Sequence, residues 1–188
     1  WQMVRKSGVA IIMKNKLVVI INGRGTSGKD TCISFINSFK VMNVSSIDPI
    51  KEAATILGWN GVKTKKARKY LSDMKKLSVE FNDYPMNYIM KMYEKFMSPY
   101  NEDDVMFIHV REPEEIKKIK DNIPRAFTLL VKRDLVGELG NDSDDNVEDF
   151  EYDVEFENNG TMEEANVNFN KLINYLYKAS ATYPETNL

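Results

Sequence analysis

Apolar and polar positions alternate along the chain in a way that predicts alternating strands and helices. The stretch "KLVVIIN" at 16–22 is a nearly continuous apolar run, which is typical of a strand buried on both faces. Further strands are predicted at 41–47, 104–110, 125–131 and 152–157, and helices at 29–39, 48–58, 64–81, 84–97, 112–122 and 161–178. This order predicts a three-layer α/β/α fold, with about five mainly parallel strands and helices on both faces of the sheet.

Capping residues support several of these helix boundaries. Asp48 is expected to be the N-cap of the second helix, with Pro49 as its first residue and Gly58 as its stop. Thr64 is the expected cap of the third helix. The stretch "TMEE" at 161–164 has the spacing of a capping box, which predicts the start of the last helix.

Composition limits the class of protein. The chain has 188 residues, 43% of them apolar, which suits a single domain with a real core. The net charge of −2 gives no argument for a nucleic-acid or membrane partner. No apolar run has the length of a membrane span, and one cysteine allows no disulfide within the chain, which is expected of a reduced, cytoplasmic setting.

We expect two parts along the chain. Residues 1–12 precede Met13 and are expected to be an upstream extension or a non-native remnant, outside the core fold. Residues 13–188 are expected to form a single domain. The polar stretch 133–151 has no clear period, and a connection of that length inside a compact domain is typical of a lid.

The strongest chemical signal is the stretch "INGRGTSGKDTC" at 21–32, which follows the first buried strand. Gly23 and Gly28 allow a tight turn whose backbone N–H groups converge, and the helix after it adds positive potential. Lys29 supplies a mobile charge for the β- and γ-phosphates. A strand before this pattern and a helix after it are the context expected of a nucleotide-binding phosphate loop; the alternative is an ordinary Gly/Ser turn with a surface lysine.

Asp30 departs from the usual loop, where a Ser or Thr follows the lysine and binds Mg²⁺. A carboxylate is also a good oxygen ligand for this cation, and the hydroxyl of Thr31 follows at the next position. We therefore expect Asp30 and Thr31 to hold Mg²⁺ beside the phosphates of ATP. The alternative is that Asp30 only complements the dipole of its helix.

Other motifs point to a class of phosphate-loop protein. The base-reading Asn-Lys-x-Asp motif of GTPases does not occur, and the chain is too short for the large ATPase machines. The series "SGKDT", "DPIKE", "ARKYLSD", "VRE" and "YDVEFENNGTMEE" resembles, over about 16–178, the deoxynucleoside monophosphate kinases and their phosphate-loop relatives. "GKD" is also similar to one kind of phosphomevalonate kinase, and "NNGT" to dephospho-coenzyme A kinases.

This resemblance implies roles for residues along the chain. It assigns ATP to the loop residues Gly23, Gly25, Ser27, Gly28, Lys29, Asp30, Thr31 and Cys32. It places the acceptor in the helical region at about 49–97, with Asp48, Lys51, Arg68 and Arg111 as acceptor-binding residues. It makes Lys29, Asp48, Arg111 and Arg133 the catalytic candidates, with Arg133 as an arginine of the lid.

The resemblance implies a kinase that transfers the γ-phosphoryl group of ATP to a small phosphorylated acceptor, a (deoxy)nucleoside monophosphate first of all. Other small metabolites, such as dephospho-coenzyme A or a phosphomevalonate-like compound, stay open as acceptors. So does a non-catalytic module that binds ATP as a sensor, because the stretch "LVGELGNDSDD" does not match the family's lid signature. The sequence leaves the oligomeric state open.

Overall fold

The structure is a computed structural model that describes residues 2–6, 9–13, 15–134 and 146–182. Strands β1 (Gln2–Lys6) and β2 (Val9–Met13) pair antiparallel in a two-stranded sheet of their own. Most of the expected extension, 1–12, lies in this small sheet. Its place outside the core domain stays a prediction.

The main sheet has five strands, and all of its neighbouring pairs are parallel, in the order β4-β5-β3-β6-β7. The strands are β3 (Leu17–Asn22), β4 (Val41–Ser45), β5 (Val105–His109), β6 (Phe127–Lys132) and β7 (Val154–Glu157). The predicted parallel sheet is therefore confirmed. Because every strand runs the same way, the residues that follow the strands meet at a single edge of the sheet.

Helices connect these strands. They are α1 (Lys29–Ser34), α2 (Asp48–Ile56), α3 (Lys65–Asn82), α4 (Tyr84–Met97), α5 (Pro113–Asn122) and α6 (Met162–Thr182). None of the helices in the described part of the chain is long and apolar enough to cross a bilayer.

The central strand β3 contributes to two separate cores. Leu17, Val19 and Ile21 pack on one face of the sheet with buried residues of α1 and α6. Val18 and Ile20 face the other way and pack with buried residues of α4 and α5. This two-residue alternation of a strand that is apolar throughout is what places helices on both faces. The three-layer α/β/α fold is confirmed.

A predicted helix end and a predicted N-cap differ from the structure. Helix α1 ends at Ser34 and not at 39, because Phe35 and Ile36 donate to carbonyls three residues back, which tightens and ends the helix. Helix α2 begins at Asp48, after Ile47 in the N-cap position. Asp48 is therefore not the cap; its carboxylate instead accepts from the N–H of Ser45 at 2.8 Å.

The other capping predictions are confirmed. Thr64 accepts from the N–H of Ala67 at 3.1 Å. Gly58 follows α2 with a φ of +96°, a conformation that glycine adopts easily. Thr161 and Glu164 form the reciprocal pair of a capping box: the Thr161 N–H donates to Glu164 Oε2 at 2.8 Å and the Glu164 N–H to Thr161 Oγ1 at 3.2 Å.

Candidate functional site

A polar pocket of about 250 Å³ lies at the edge of the sheet where the parallel strands end. It is lined by Arg24, Thr26, Ser27, Gly28, Lys29, Asp30, Thr31 and Arg133. All but Arg133 belong to the loop between β3 and α1 or to the first turn of α1. Arg133 comes directly after β6, the neighbour of β3. The structure thus joins the predicted phosphate loop to the predicted catalytic arginine.

Close packing explains one glycine of this loop. A side chain at Gly23 would place its Cβ 2.7 Å from the carbonyl oxygen of Val131 in β6 and 2.6 Å from Ser27 Oγ. Only glycine permits this approach of the loop to β6. Ser27 Oγ is itself buried without a hydrogen-bond partner among the described residues.

Asn22, the last residue of β3, ties the base of the loop to its surroundings. Its side chain is fully buried. Its Oδ1 accepts from the N–H of Gly23 at 2.8 Å, and its Nδ2 donates to the carbonyl of Arg111 at 3.0 Å and to the hydroxyl of Tyr152 at 2.7 Å. Burial raises the pKa of Tyr152 to about 12, so the phenol stays protonated. This contact could not be predicted from the sequence, because a buried asparagine carries no local pattern.

Lys29 and Asp30 begin α1 inside the pocket. Their Nζ and Oδ1 atoms are 3.7 Å apart, and the Lys29 side chain is 16% exposed whereas that of Asp30 is 81% exposed. Asp30 Oδ1 is also 3.7 Å from Nδ1 of His109, at the end of β5. The Asp30 carboxylate therefore faces solvent beside the lysine, where an additional ligand can reach it.

His109 lies between the phosphate loop and the predicted acceptor residues. Its Nε2 is 3.2 Å from Asn43 Oδ1. Burial and the charge of Lys29 lower the pKa of His109, while Asp30 and Asp48 oppose that shift and Lys51 adds to it. Ser45 lies opposite His109 in the neighbouring strand, and its N–H donates to Asp48 at 2.8 Å. The imidazole therefore lies between Asp30 of the phosphate loop and the acceptor candidate Asp48.

Asp48 and Lys51 form an ion pair at the start of α2, with 3.2 Å between Oδ1 and Nζ. Charge on Asp48 also helps to raise the pKa of the Tyr88 phenol, after the larger effect of burial. Tyr88 of α4 packs against the core of this face. The predicted acceptor region 49–97 therefore contributes residues near the carboxyl edge of β4.

Two predicted acceptor arginines lie outside the phosphate pocket. Arg111 follows β5 by two residues and is exposed, and its carbonyl is held by Asn22. Arg68 is exposed in the first turn of α3. Neither lines the pocket. Their roles stay predictions.

The position of Cys32 does not support its predicted contact with ATP. The Cys32 side chain is completely buried in the core, and burial raises the pKa of its thiol to about 11, which keeps it protonated. Its N–H donates to Gly28 O, within the helix, so nothing here supports a direct contact with ATP.

Of the predicted lid, 133–151, residues 135–145 lie outside the described residues. Val147 is buried, and its carbonyl accepts from the Tyr152 hydroxyl at 2.8 Å.

The structure also places residues at the site that the sequence analysis missed. Arg24 lines the pocket, and its Nη2 is 3.2 Å from Glu148 Oε1. Asn158, after β7, donates to the carbonyl of Ser27 at 2.9 Å. Its neighbour Asn159 makes two bonds to Asp134, next to Arg133. The "NNGT" stretch was the available signal, but it does not reveal which loop the asparagines contact.

The residues present fit a polyphosphate with a bound divalent cation. Three cationic side chains, of Arg24, Lys29 and Arg133, line the pocket together with one carboxylate, of Asp30. Within the described residues, no group of three or more His, Cys, Asp or Glu could hold a metal ion by itself. Mg²⁺ commonly takes one or two protein ligands and completes its shell with phosphates and water, which suits Asp30 and Thr31.

Comparisons with known proteins add little to this geometry. No family model matches the chain, and no curated protein matches it. Among solved structures, the crystal structure of TT1252 from Thermus thermophilus is similar with a TM-score of 0.47 and 15% sequence identity, over 87% of this chain and 99% of that one. A likeness at this level carries no argument about activity, so a functional conclusion has to rest on the site itself.

Proposed function

We propose that this protein is a kinase that transfers the γ-phosphoryl group of ATP to a small phosphorylated acceptor, a nucleoside monophosphate first of all. The observation that carries the proposal is the pocket in which the glycine loop, Lys29 and Arg133 meet at the ends of two neighbouring strands. Ligands of open parallel sheets bind at this edge, where successive connections leave to opposite faces. Here α1, after β3, and α5, after β5, pack on opposite faces.

The charges of the pocket suit phosphoryl transfer. Such a reaction depends on positioning and on compensation of negative charge more than on covalent chemistry. Lys29 would bind the β- and γ-phosphates, and Arg133 and Arg24 would add charge from two further directions. A bound Mg²⁺, held by Asp30 and Thr31, would neutralise charge on the transferring group.

The acceptor side supports a kinase over a sensor. Asp48 is bonded to Ser45, the residue opposite His109 in the neighbouring strand, and is paired with Lys51. Asp30, beside Lys29, is 3.7 Å from the same imidazole. A module that only sensed ATP would need no second set of charged groups beside the phosphates. A phosphate acceptor needs no general base, because it is already anionic; Asp48 is the candidate base for a hydroxyl acceptor.

The experiment is a coupled assay of ATP consumption across a panel of nucleoside monophosphates, dephospho-coenzyme A and phosphomevalonate. We expect turnover that depends on the acceptor. Lys29→Ala should lower this turnover, because it removes about 2–4 kcal/mol of transition-state stabilisation. Lys40→Ala is the matched control, because Lys40 is exposed, is paired with Glu102 and precedes β4 at the opposite edge of the sheet.

Circular dichroism should show that both lysine variants are folded. Turnover of Lys29→Ala equal to that of wild type would contradict the phosphate-loop assignment. ATP binding without turnover on any acceptor would favour the sensor.

A further inference from the structure

Asn158 braces the phosphate loop from a distant strand. It follows β7, and its side chain is buried, with 9% of the residue exposed. Its Nδ2 donates to the carbonyl oxygen of Ser27 at 2.9 Å, while its own N–H donates to the carbonyl of Lys132 at 2.8 Å. The backbone bond fixes Asn158 at the end of β6. The side-chain bond then holds the loop at Ser27 in place relative to that strand.

Peptide geometry gives this bond a consequence for ligand binding. The carbonyl of Ser27 and the N–H of Gly28 belong to one peptide group, and no cis peptide occurs in the described chain. In a planar trans peptide these two groups point in opposite directions. With the carbonyl held by Asn158 on the buried side, the Gly28 N–H is directed to the other side of the loop. Ser27 and Gly28 line the pocket and Asn158 does not, so the pocket, where a phosphate would lie, is on the side away from Asn158.

The loop needs such support because its conformation is locally unfavourable. Thr26 has a φ of +66°, in the left-handed region that few residues other than glycine adopt. Strained residues of this kind persist only where the surrounding structure holds them in place. Gly28 has a φ of +85°, and a Cβ at this residue would collide with the amide nitrogen of Asn158. Asn158 and Gly28 therefore fit together as a closely packed pair.

We propose that Asn158 is a positioning residue of the phosphate site, which holds the Ser27–Gly28 peptide so that the Gly28 N–H points at the bound phosphates. The inference rests on the proposed function, since it concerns the same nucleotide site. It goes beyond the proposed function because it assigns a role to Asn158, a residue that acts through the loop and does not touch the ligand.

The test compares Asn158→Asp and Asn158→Ala with wild type by calorimetric titration of ATP and of ADP. Asn158→Asp keeps the volume but presents an oxygen to the Ser27 carbonyl, and Asn158→Ala removes the bond. We expect each to weaken the binding of both nucleotides about tenfold or more, the usual effect of losing a well-aligned bond to a charged group.

Asn170→Ala is the matched control. Asn170 donates to the carbonyl of Phe35 at 3.1 Å, so it too joins a late element of the chain, α6, to the segment after the phosphate loop. We expect this variant to lose stability without losing nucleotide affinity. Asn158 variants that are less stable in urea but bind ATP as wild type does would overturn the inference, because a purely structural bond would behave in that way.

A second measurement does not depend on the folding of a variant. In amide NMR spectra of the wild-type protein, ADP should shift the Gly28 N–H resonance strongly downfield, and an unmoved Gly28 resonance on saturation with ADP would overturn the proposal. Failure of the wild type to bind ATP or ADP in a manner that depends on Lys29 would instead contradict the proposed function. The two failures are therefore distinguishable.

Discussion

Asp30 is the residue whose chemistry differs most from the usual phosphate loop. Its side chain is 81% exposed and lies 3.7 Å from both Lys29 and His109, so neither partner encloses it. Such a carboxylate at the start of α1 is available to bind Mg²⁺ directly or through water. The alternative, that it only complements the helix dipole, predicts no dependence of Mg²⁺ affinity on its charge.

We predict that Asp30→Asn raises the Mg²⁺ concentration needed for half-maximal turnover, because a neutral amide is a poorer ligand for a hard cation. Mg²⁺ titrations of the kinase assay at saturating ATP measure this midpoint. Asp73→Asn is the control, since Asp73 is an exposed helical acid paired with Lys69 at 2.8 Å and is absent from the pocket. Identical midpoints for wild type and Asp30→Asn would mean that Asp30 only complements the dipole of its helix.

Glu148 forms an ion pair with an arginine that lines the pocket. Its Oε1 is 3.2 Å from Arg24 Nη2, and the two side chains are 51% and 43% exposed. We predict that Glu148→Gln strengthens ATP binding by a few fold, because an exposed ion pair of this kind is worth about 0.2–1 kcal/mol. Calorimetric titration of ATP is the measurement.

Glu155→Gln is the matched control for Glu148, because Glu155 has similar exposure and pairs at 2.6 Å with Lys132, which does not line the pocket. The control should bind ATP as wild type does. Weaker binding by Glu148→Gln would mean that the glutamate orients Arg24 for the phosphates and does not compete with them.

At the scale of elements, α6 holds β7 and the central strands together. Phe169 of α6 is fully buried, with its ring 6.5 Å from that of Phe107 in β5 and 5.1 Å from that of Phe156 in β7. Phe156 is two residues before Asn158, so this packing also helps to position the side chain that bonds to Ser27.

We predict that Phe169→Ala lowers the free energy of unfolding by about 3–5 kcal/mol, the usual cost of deleting a buried aromatic ring. Urea denaturation followed by circular dichroism measures this change. Tyr175→Ala on the same helix is the control, because Tyr175 is 69% exposed and its loss should have little effect. Equal effects of the two substitutions would show that α6 contributes no specific packing here.

Helix α3 shows where a periodic pattern overestimates burial. Leu71 is buried and packs with Ile50 and Ala54 of α2, whereas Leu77 and Phe81, six and ten residues further along the helix, are 65% and 86% exposed. The helical period was correct. The apolar spacing does not imply burial along the whole helix, because α3 has 18 residues and α2, which packs against Leu71, has nine.

At the scale of the whole molecule, the connections after β3 and β5 leave the same edge of the sheet. Lys29 lies in the connection after β3, and Arg111 lies in the connection after β5, the adjacent strand. Asn22 binds the backbone of both connections, since it contacts the Gly23 N–H and the Arg111 carbonyl. The predicted donor and acceptor residues therefore share a rigid base.

We predict that Arg111→Ala raises the KM for the acceptor at least about tenfold while the affinity for ATP stays unchanged, because its guanidinium would bind the acceptor's phosphate. Steady-state kinetics and calorimetric titration of ATP measure the two effects. Arg125→Ala is the control arginine: it precedes β6, at the opposite edge of the sheet, and donates to Ser180 O. A large loss of ATP affinity in Arg111→Ala would move Arg111 to the donor side.

The sequence by itself determined features that depend on near neighbours. The buried strand at 17–22, the turn from Gly23 to Lys29 and the capping box of Thr161 and Glu164 are set by residues within a few positions of each other, whose conformational preferences act locally. The alternation of strands and helices then implied the parallel sheet. For this reason the fold class was predicted correctly, and the glycine-rich turn lies between β3 and α1 as predicted. That this turn binds phosphate stays a prediction.

Only the tertiary structure decided the contacts that complete the site. Asn158 reaches Ser27 across 131 positions of the chain, and Arg24 meets Glu148 because both lie at the same edge of the sheet. These pairs depend on the strand order β4-β5-β3-β6-β7, which no local pattern records. A hydrogen bond requires its donor within about 3 Å of its acceptor, and for residues so distant in sequence only the packing of the sheet and helices provides that proximity.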